Sequence, residues 1–452
     1  MRRRLALSLL TLLLASASAP VLAFGRDSGP TSSSPTGHAA PDFGLPAVQV
    51  RLALDRAMGE HAFLIIEVVR TGIVGGPEFE VAGEVLEANT VELVDLVEAA
   101  YGAGAGEPFA EQWRNHIAFI VDYTRAVAEG DADARDLASA QLETYTQDFS
   151  AFLAVANPTL PADAIEGLIR EHVQQLQQVA SFAREGFGDA YLSIRETYAH
   201  MFMIGDGLAN GITARFAEKF PGRDTAFSPA LDLRLSLDRL FGEHTYLAAI
   251  AMRAGLTDAS DFEAAADALD ANSADLAKQI AEIYGEDAGD AFDELWRSHT
   301  SYYLDYVEAS ADDNAAGKTQ ALQGLREYRE DFSAFLAGAN PFLDAAGLEA
   351  LLDEHTSHLV AQVSQYLDED YETSIETLRE AYAHSELLAA GLAGAIADQF
   401  PLIFPDTALP APPRSGPSVL MAGLLAALAA LAALTTFGVA ARLHGVPAIR
   451  RQ

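Results

Sequence analysis

Histidines at positions 172 and 355 interrupt two helical apolar stripes in the same way, and they lie 183 residues apart. In IEGLIREHVQQLQQVA (165–180), Ile165, Leu168, Ile169, Val173, Leu176 and Val179 follow the spacing of one buried helix face, and His172 stands among them. In LEALLDEHTSHLV (348–360), His355 stands among Leu348, Leu351, Leu352 and Leu359. The same offset carries Glu60-His61 to Glu243-His244 and Asn89-Thr90 to Asn272-Ser273. It carries Trp113 and His116 to Trp296 and His299, and Asp122-Tyr123 to Asp305-Tyr306. The run DFSAFLA starting at Asp148 returns from Asp331, and Asn157-Pro158 returns as Asn340-Pro341. Past the Gly186–Gly188 turn the offset becomes 184, taking His200 to His384 and Phe220-Pro221 to Phe404-Pro405. A period this long reads as one supersecondary assembly written twice.

Within the first copy, helical periodicity predicts helices over 50–71, 79–101, 108–128, 133–154, 161–184 and 190–220. In the first of these, Leu54, Met58, His61, Ile65 and Val68 share one stripe. No segment sustains alternation of period two, so sheet is not expected. The expected fold is all-α: two tandem six-helix, bundle-like repeats over 47–221 and 229–405, plus one C-terminal transmembrane helix.

The ends read differently. Residues 1–23 combine Arg2, Arg3 and Arg4 with an apolar run and a small-residue cleavage site, the pattern of a signal peptide. Residues 24–46 are rich in Ser, Pro, Thr and Gly and read as a disordered linker. Residues 406–417 read as a proline-rich stalk. Residues 418–441 carry no charge and are long enough to span a bilayer, and Arg442, Arg450 and Arg451 follow in a basic tail, 442–452. The expectation is a single-pass protein of the cell membrane with its repeats extracytoplasmic and its C-terminus cytoplasmic.

Between these ends the chain is strongly acidic, about −42 by formal count over 24–417. Nucleic acid is excluded as a natural partner for such a surface, while metal ions or a basic protein suit it. The chain has no cysteine, which rules out thiolate ligands and thiol catalysis. It has no GxSxG, P-loop, dinucleotide or HExxH motif.

The chemistry therefore rests on histidine. Eight of the eleven histidines form four matched pairs: His61/His244, His116/His299, His172/His355 and His200/His384. They fall near the middle of the first, third, fifth and sixth helices of each copy, which antiparallel packing brings to one level. Such a layer is a candidate site for Zn, Cu or Fe. Glu60, Asn89, Asp122, Asp148 and Glu171, with Glu243, Asn272, Asp305, Asp331 and Glu354, are candidates to orient the imidazoles. The alternative is that carboxylates and amides satisfy core histidines in a structural or interaction protein. A haem- or metal-dependent helical enzyme is the third reading. His358 sits one turn from His355 but has Gln175 as its counterpart, and it reads as a surface residue.

The repeated pattern of EH in the first and fifth helices, DFSAFLAxANP and a closing FP resembles a group of uncharacterised bacterial exported helical proteins. The resemblance covers 47–221 and 229–405 and implies no established activity.

Overall fold

The computed structural model describes residues 42–407, which form thirteen α-helices and, among the described residues, no strand. The first six are α1 (Pro46–Val74), α2 (Phe79–Tyr101), α3 (Gly106–Glu129), α4 (Ala132–Ala156), α5 (Ala162–Glu185) and α6 (Gly188–Arg215). One short turn of helix that periodicity did not reveal, α7 (Arg223–Ala226), precedes the second six. Those are α8 (Pro229–Leu256), α9 (Phe262–Tyr284), α10 (Glu286–Ala311), α11 (Ala315–Ala339), α12 (Ala345–Leu367) and α13 (Tyr371–Gln399). Residues 1–41 and 408–452 lie outside the described residues, and with them the expected signal peptide, most of the linker and stalk, and the expected membrane span and tail.

Local chemistry explains the helix boundaries. Proline opens α1 and α8, where its missing N–H has no intrahelical partner to lose. Asp131, Ser228, Asn314, Asp344 and Asp370 cap their helices through the side chain. The Phe-Pro motifs act as backbone caps: the Pro221 carbonyl accepts from Ala47 N–H at 3.0 Å, and Pro405 accepts from Ala230 N–H at 3.2 Å. The Asn-Pro motifs tie two turns together, since the Asn157 amide donates to the Tyr101 hydroxyl (3.1 Å) and that of Asn340 to Tyr284 (3.0 Å).

Helix α1 packs against α2, α3, α5 and α6, and α8 packs against α9, α10, α12 and α13. The two central helices also touch each other, α13 reaches α2, and α6 reaches α9. The largest core cluster runs through both halves: the Phe63 ring lies 4.3 Å from Tyr246 and 6.2 Å from Tyr382. Every residue of 57–71 and of 240–254 is buried. The single stripe expected along the first helix is thus corrected to burial on all sides, as the low amphipathicity of such a sequence allows.

A helix without a wet face must bury its charges, and here they pair across the two halves. Arg379 on α13 binds Glu60 on α1 at 2.9 and 3.1 Å, and Arg195 on α6 binds Glu243 on α8 at 3.0 and 3.3 Å. The Tyr198 and Tyr382 hydroxyls meet at 3.0 Å, over Gly242 and Gly59, where a Cβ would collide with them. At the other end of the contact, Glu67 is shared by Arg70 (3.1 and 3.2 Å) and Arg253 (3.3 Å). Burial alone would raise the Glu67 pKa, but Arg70 and Arg253 together hold it below its ordinary value. Asp261 accepts from Arg70 (3.1 Å) and from the Tyr191 hydroxyl (2.9 Å), closing the network.

The expected single-pass membrane placement is corrected to what the helices allow. Among the described residues no helix is long and apolar enough to cross a membrane. The stretch expected to do so, 418–441, lies outside them.

The shared acid yields a stability test. Replacing Glu67→Ala removes the one carboxylate paired with buried Arg253 and leaves Arg70 with Asp261 and Glu78, at a cost of roughly 3–5 kcal/mol. We expect the urea midpoint of the whole described fold to drop, because the network belongs to both halves. An unchanged midpoint would show that the network does not hold them together.

Candidate metal centre

The layer forms around the central helices because His61 and His244 project from them toward α3 and α5, or α10 and α12. His61 Nε2 lies 3.3 Å from His116 Nε2, and His244 Nε2 lies 3.2 Å from His299 Nε2. Two nitrogens bound at about 2.0–2.1 Å to one tetrahedral ion stand roughly 3.3–3.4 Å apart, so both pairs already have ligand spacing. His172 completes the first group: its ring centroid is 6.1 Å from that of His61, and one nitrogen from each of the three lies within 4.8 Å of the others. His355 takes the same place beside His244 at 6.0 Å, although this second trio does not close as tightly. Tryptophan packs the rings in place, with Trp113 at 4.7 Å from His61 and 4.6 Å from His116, and Trp296 at 4.7 and 4.5 Å from their counterparts. Tyr145 stacks on His116 and Tyr328 on His299.

All six imidazoles are buried. Burial drives the pKa of His61, His172 and His244 well down, with neighbouring imidazoles adding to the effect. It lowers His116, His299 and His355 to about 3. The rings are therefore neutral at pH 7, the state in which imidazole binds a metal. Neither nitrogen of His172 has a hydrogen-bond partner, nor has either nitrogen of His355. Nδ1 of His61, His116, His244 and His299 makes no close hydrogen bond, although Asn89 stands beside His61 and the Trp113 and Trp296 backbone beside His116 and His299.

The fourth histidine of each set stands apart. His200 Nε2 meets the Leu168 carbonyl at 2.8 Å, and His384 Nε2 meets that of Leu351 at 2.8 Å, which ties each pair of adjacent helices together. The acids expected around the layer also go elsewhere. Glu60 and Glu243 are held by arginine across the contact and by Asn89 (2.9 Å) and Asn272 (2.8 Å), whose amides also donate to the Ala57 and Leu240 carbonyls. Asp122, Asp148, Asp305, Asp331, Glu171 and Glu354 are exposed. None of them reaches the six-histidine layer by hydrogen bond or ion pair; Asp122 pairs with Arg125 instead. Sequence spacing had placed these acids by helix level, and level does not fix which side of the helix faces a neighbour.

The two halves differ in free space. A cavity of about 180 Å³ adjoins the first trio, lined by Met58, Trp113, Tyr145, Phe149 and Leu160 beside His116 and His172. The corresponding space beside His244, His299 and His355 is about 10 Å³. Phe241, which takes the place of Met58, packs at 5.7 Å on Trp296 and fills it.

No family profile, no curated protein and no solved structure matches the chain.

Neutral buried histidines make the fold acid-labile. A group whose folded pKa lies below its unfolded value binds fewer protons when folded, so its contribution is present above 6.5 and lost as pH falls from 6.5 toward the folded value of about 3. Each such group removes up to about 1.4 kcal/mol per pH unit in that window. The melting temperature of the metal-free protein should fall steeply between pH 6.5 and pH 4, and less steeply in His172→Leu/His355→Leu. Parallel pH profiles for the two proteins would show that these imidazoles ionise in the folded state.

Proposed function

We propose that this chain is a metal-binding helical protein whose principal centre is His61, His116 and His172. His244, His299 and His355 form a second centre of the same design. On this reading the two sets of six helices are copies of one unit, packed about an approximate two-fold axis. The reciprocal pairs Arg379–Glu60 and Arg195–Glu243 and the Tyr198–Tyr382 contact support that arrangement.

One observation carries the functional reading: His172 is buried with both ring nitrogens unpartnered, beside two imidazoles already at ligand spacing. An unpartnered buried polar group costs about 1–3 kcal/mol, and a bound ion would remove that cost. The donor set is three neutral nitrogens without a carboxylate. That favours zinc or copper over iron, whose non-haem sites take a carboxylate. Among the described residues no fourth ligand side chain joins the trio, so a divalent ion would draw its counter-anion from solution. The bracing role expected for core histidines fits the fourth pair, His200 and His384, whose Nε2 atoms are spent on backbone carbonyls.

Calorimetric titration of the full-length protein with Zn²⁺ or Cu²⁺ at pH 7 tests this reading. About one ion per trio is expected, with His172→Ala losing the first site and keeping the second. Metal at 100 times its Kd should raise the stability of the wild type by about 2.7 kcal/mol, and raise that of the variant less. Absence of saturable binding, together with a destabilisation in His172→Ala that is indifferent to chelator, would leave the layer as core packing alone.

A further inference from the structure

We infer a metal site of a different kind at the surface of the second half, in which His384 Nδ1, His358 Nε2 and a Glu354 oxygen hold a zinc ion. The three lie close together: His384 Nδ1 is 3.7 Å from one Glu354 oxygen, and His358 Nε2 is 3.9 Å from the other. One ligand atom from each residue falls within 4.8 Å of the others. These gaps are too long for hydrogen bonds, so the groups face one another without satisfying one another.

The buried partner fixes the chemistry. His384 is 5 % exposed, and its Nε2 lies 2.8 Å from the Leu351 carbonyl, which can only accept. The ring proton is therefore on Nε2, and Nδ1 carries a lone pair toward Glu354 and His358. That hydrogen bond is the kind of support that orients a metal-binding imidazole. His358 has its own support within reach, since its Nδ1 faces a Glu380 oxygen at 3.9 Å. A small movement of Glu380 would let it accept from Nδ1–H and leave Nε2 for the ion. The side chains of Glu354 and Glu380 are 62 % and 70 % exposed. They can close the remaining half ångström or so without disturbing the core. Two nitrogens, one carboxylate oxygen and an open position for water make a zinc donor set.

The first half supplies an internal control. There His200 Nε2 meets the Leu168 carbonyl, and its Nδ1 faces Glu171 at 3.9 Å, but Gln175 stands where His358 would be. The third ligand is missing, so the site is expected once per chain. It uses none of the nitrogens of the buried layer and does not depend on that layer binding metal.

The test is a zinc titration of the full-length protein in excess Mg²⁺, which occupies carboxylate clusters and leaves imidazole nitrogen free. A chromogenic chelator then separates fast-released from slowly released zinc. Wild type should hold one fast-released ion, bound at the exposed site. His358→Gln should weaken it about tenfold or more. The metal-free melting temperature should stay unchanged, since Gln175 holds the matching position in the first half. Glu354→Gln, an exposed change, should weaken the same ion, and His172→Ala should leave it alone while affecting only slowly released metal. No fast-released zinc in wild type, or wild-type affinity in either His358→Gln or Glu354→Gln, overturns the proposal whatever the buried layer does.

Discussion

A helix with no face toward water has to settle every polar group it carries inside the protein, and this molecule has two such helices. Over 57–71 and 240–254 every residue is buried. Unpaired charge in such a place is prohibitive, and an unpaired neutral polar group costs a few kcal/mol at most. The charged residues within these two stretches accordingly found partners. Glu60 and Glu243 took an arginine from the opposite half, and Glu67 took Arg253 from the opposite half and Arg70 from its own helix. Those pairs bind the two halves into one core. His61 and His244 on the same helices were left out of that pairing and face imidazoles from neighbouring helices instead.

The places where the two halves differ are as informative as those where they match. Glu67 has Ile250 as its counterpart, although Arg70 and Arg253 correspond. Where the two halves meet, one acid serves two arginines, and a second acid beside it would bring like charges together in a medium of low dielectric. Met58 and Phe241 differ beside the layer, so a cavity exists in one half and is filled in the other. The halves therefore differ in the free apolar space beside their histidines.

Much of the architecture was legible in the sequence because its signals are local. Proline at a helix start, Asn-Pro between α4 and α5, and Phe-Pro at the end each act within a few residues or on a fixed neighbour, and each occurs in both halves. The grouping of His61, His116 and His172 was legible because helical level survives antiparallel packing. The role of Glu60 was not. Helical spacing puts it on the flank of His61, and what meets that flank is Arg379, 319 residues away in the other half. Periodicity within a helix says nothing of a second unit packed against it. Asp122 and Asp148 failed for the opposite reason, since at the same level they turn outward to solvent. His358 was read as a surface residue from Gln175, and the partner that gives it meaning, the fixed Nδ1 of His384, depends on a hydrogen bond to a backbone carbonyl that no residue pattern encodes.

A core shaped for stability alone would not look like this layer. Leucine fills nearly the volume of an imidazole and leaves no orphaned nitrogen, so each of the six histidines gives up stability that an apolar residue would supply. If the halves are copies, they have diverged at Met58/Phe241 and Gln175/His358, around the layer and one turn from it, while all three layer positions hold histidine in both. Burial has also done in advance what metal binding requires. With the imidazole pKa values pressed far below 7, an ion entering the layer displaces no proton. Only on His172 and His355 did the fold leave both nitrogens unsatisfied; on the other four rings Nε2 already faces a neighbouring imidazole.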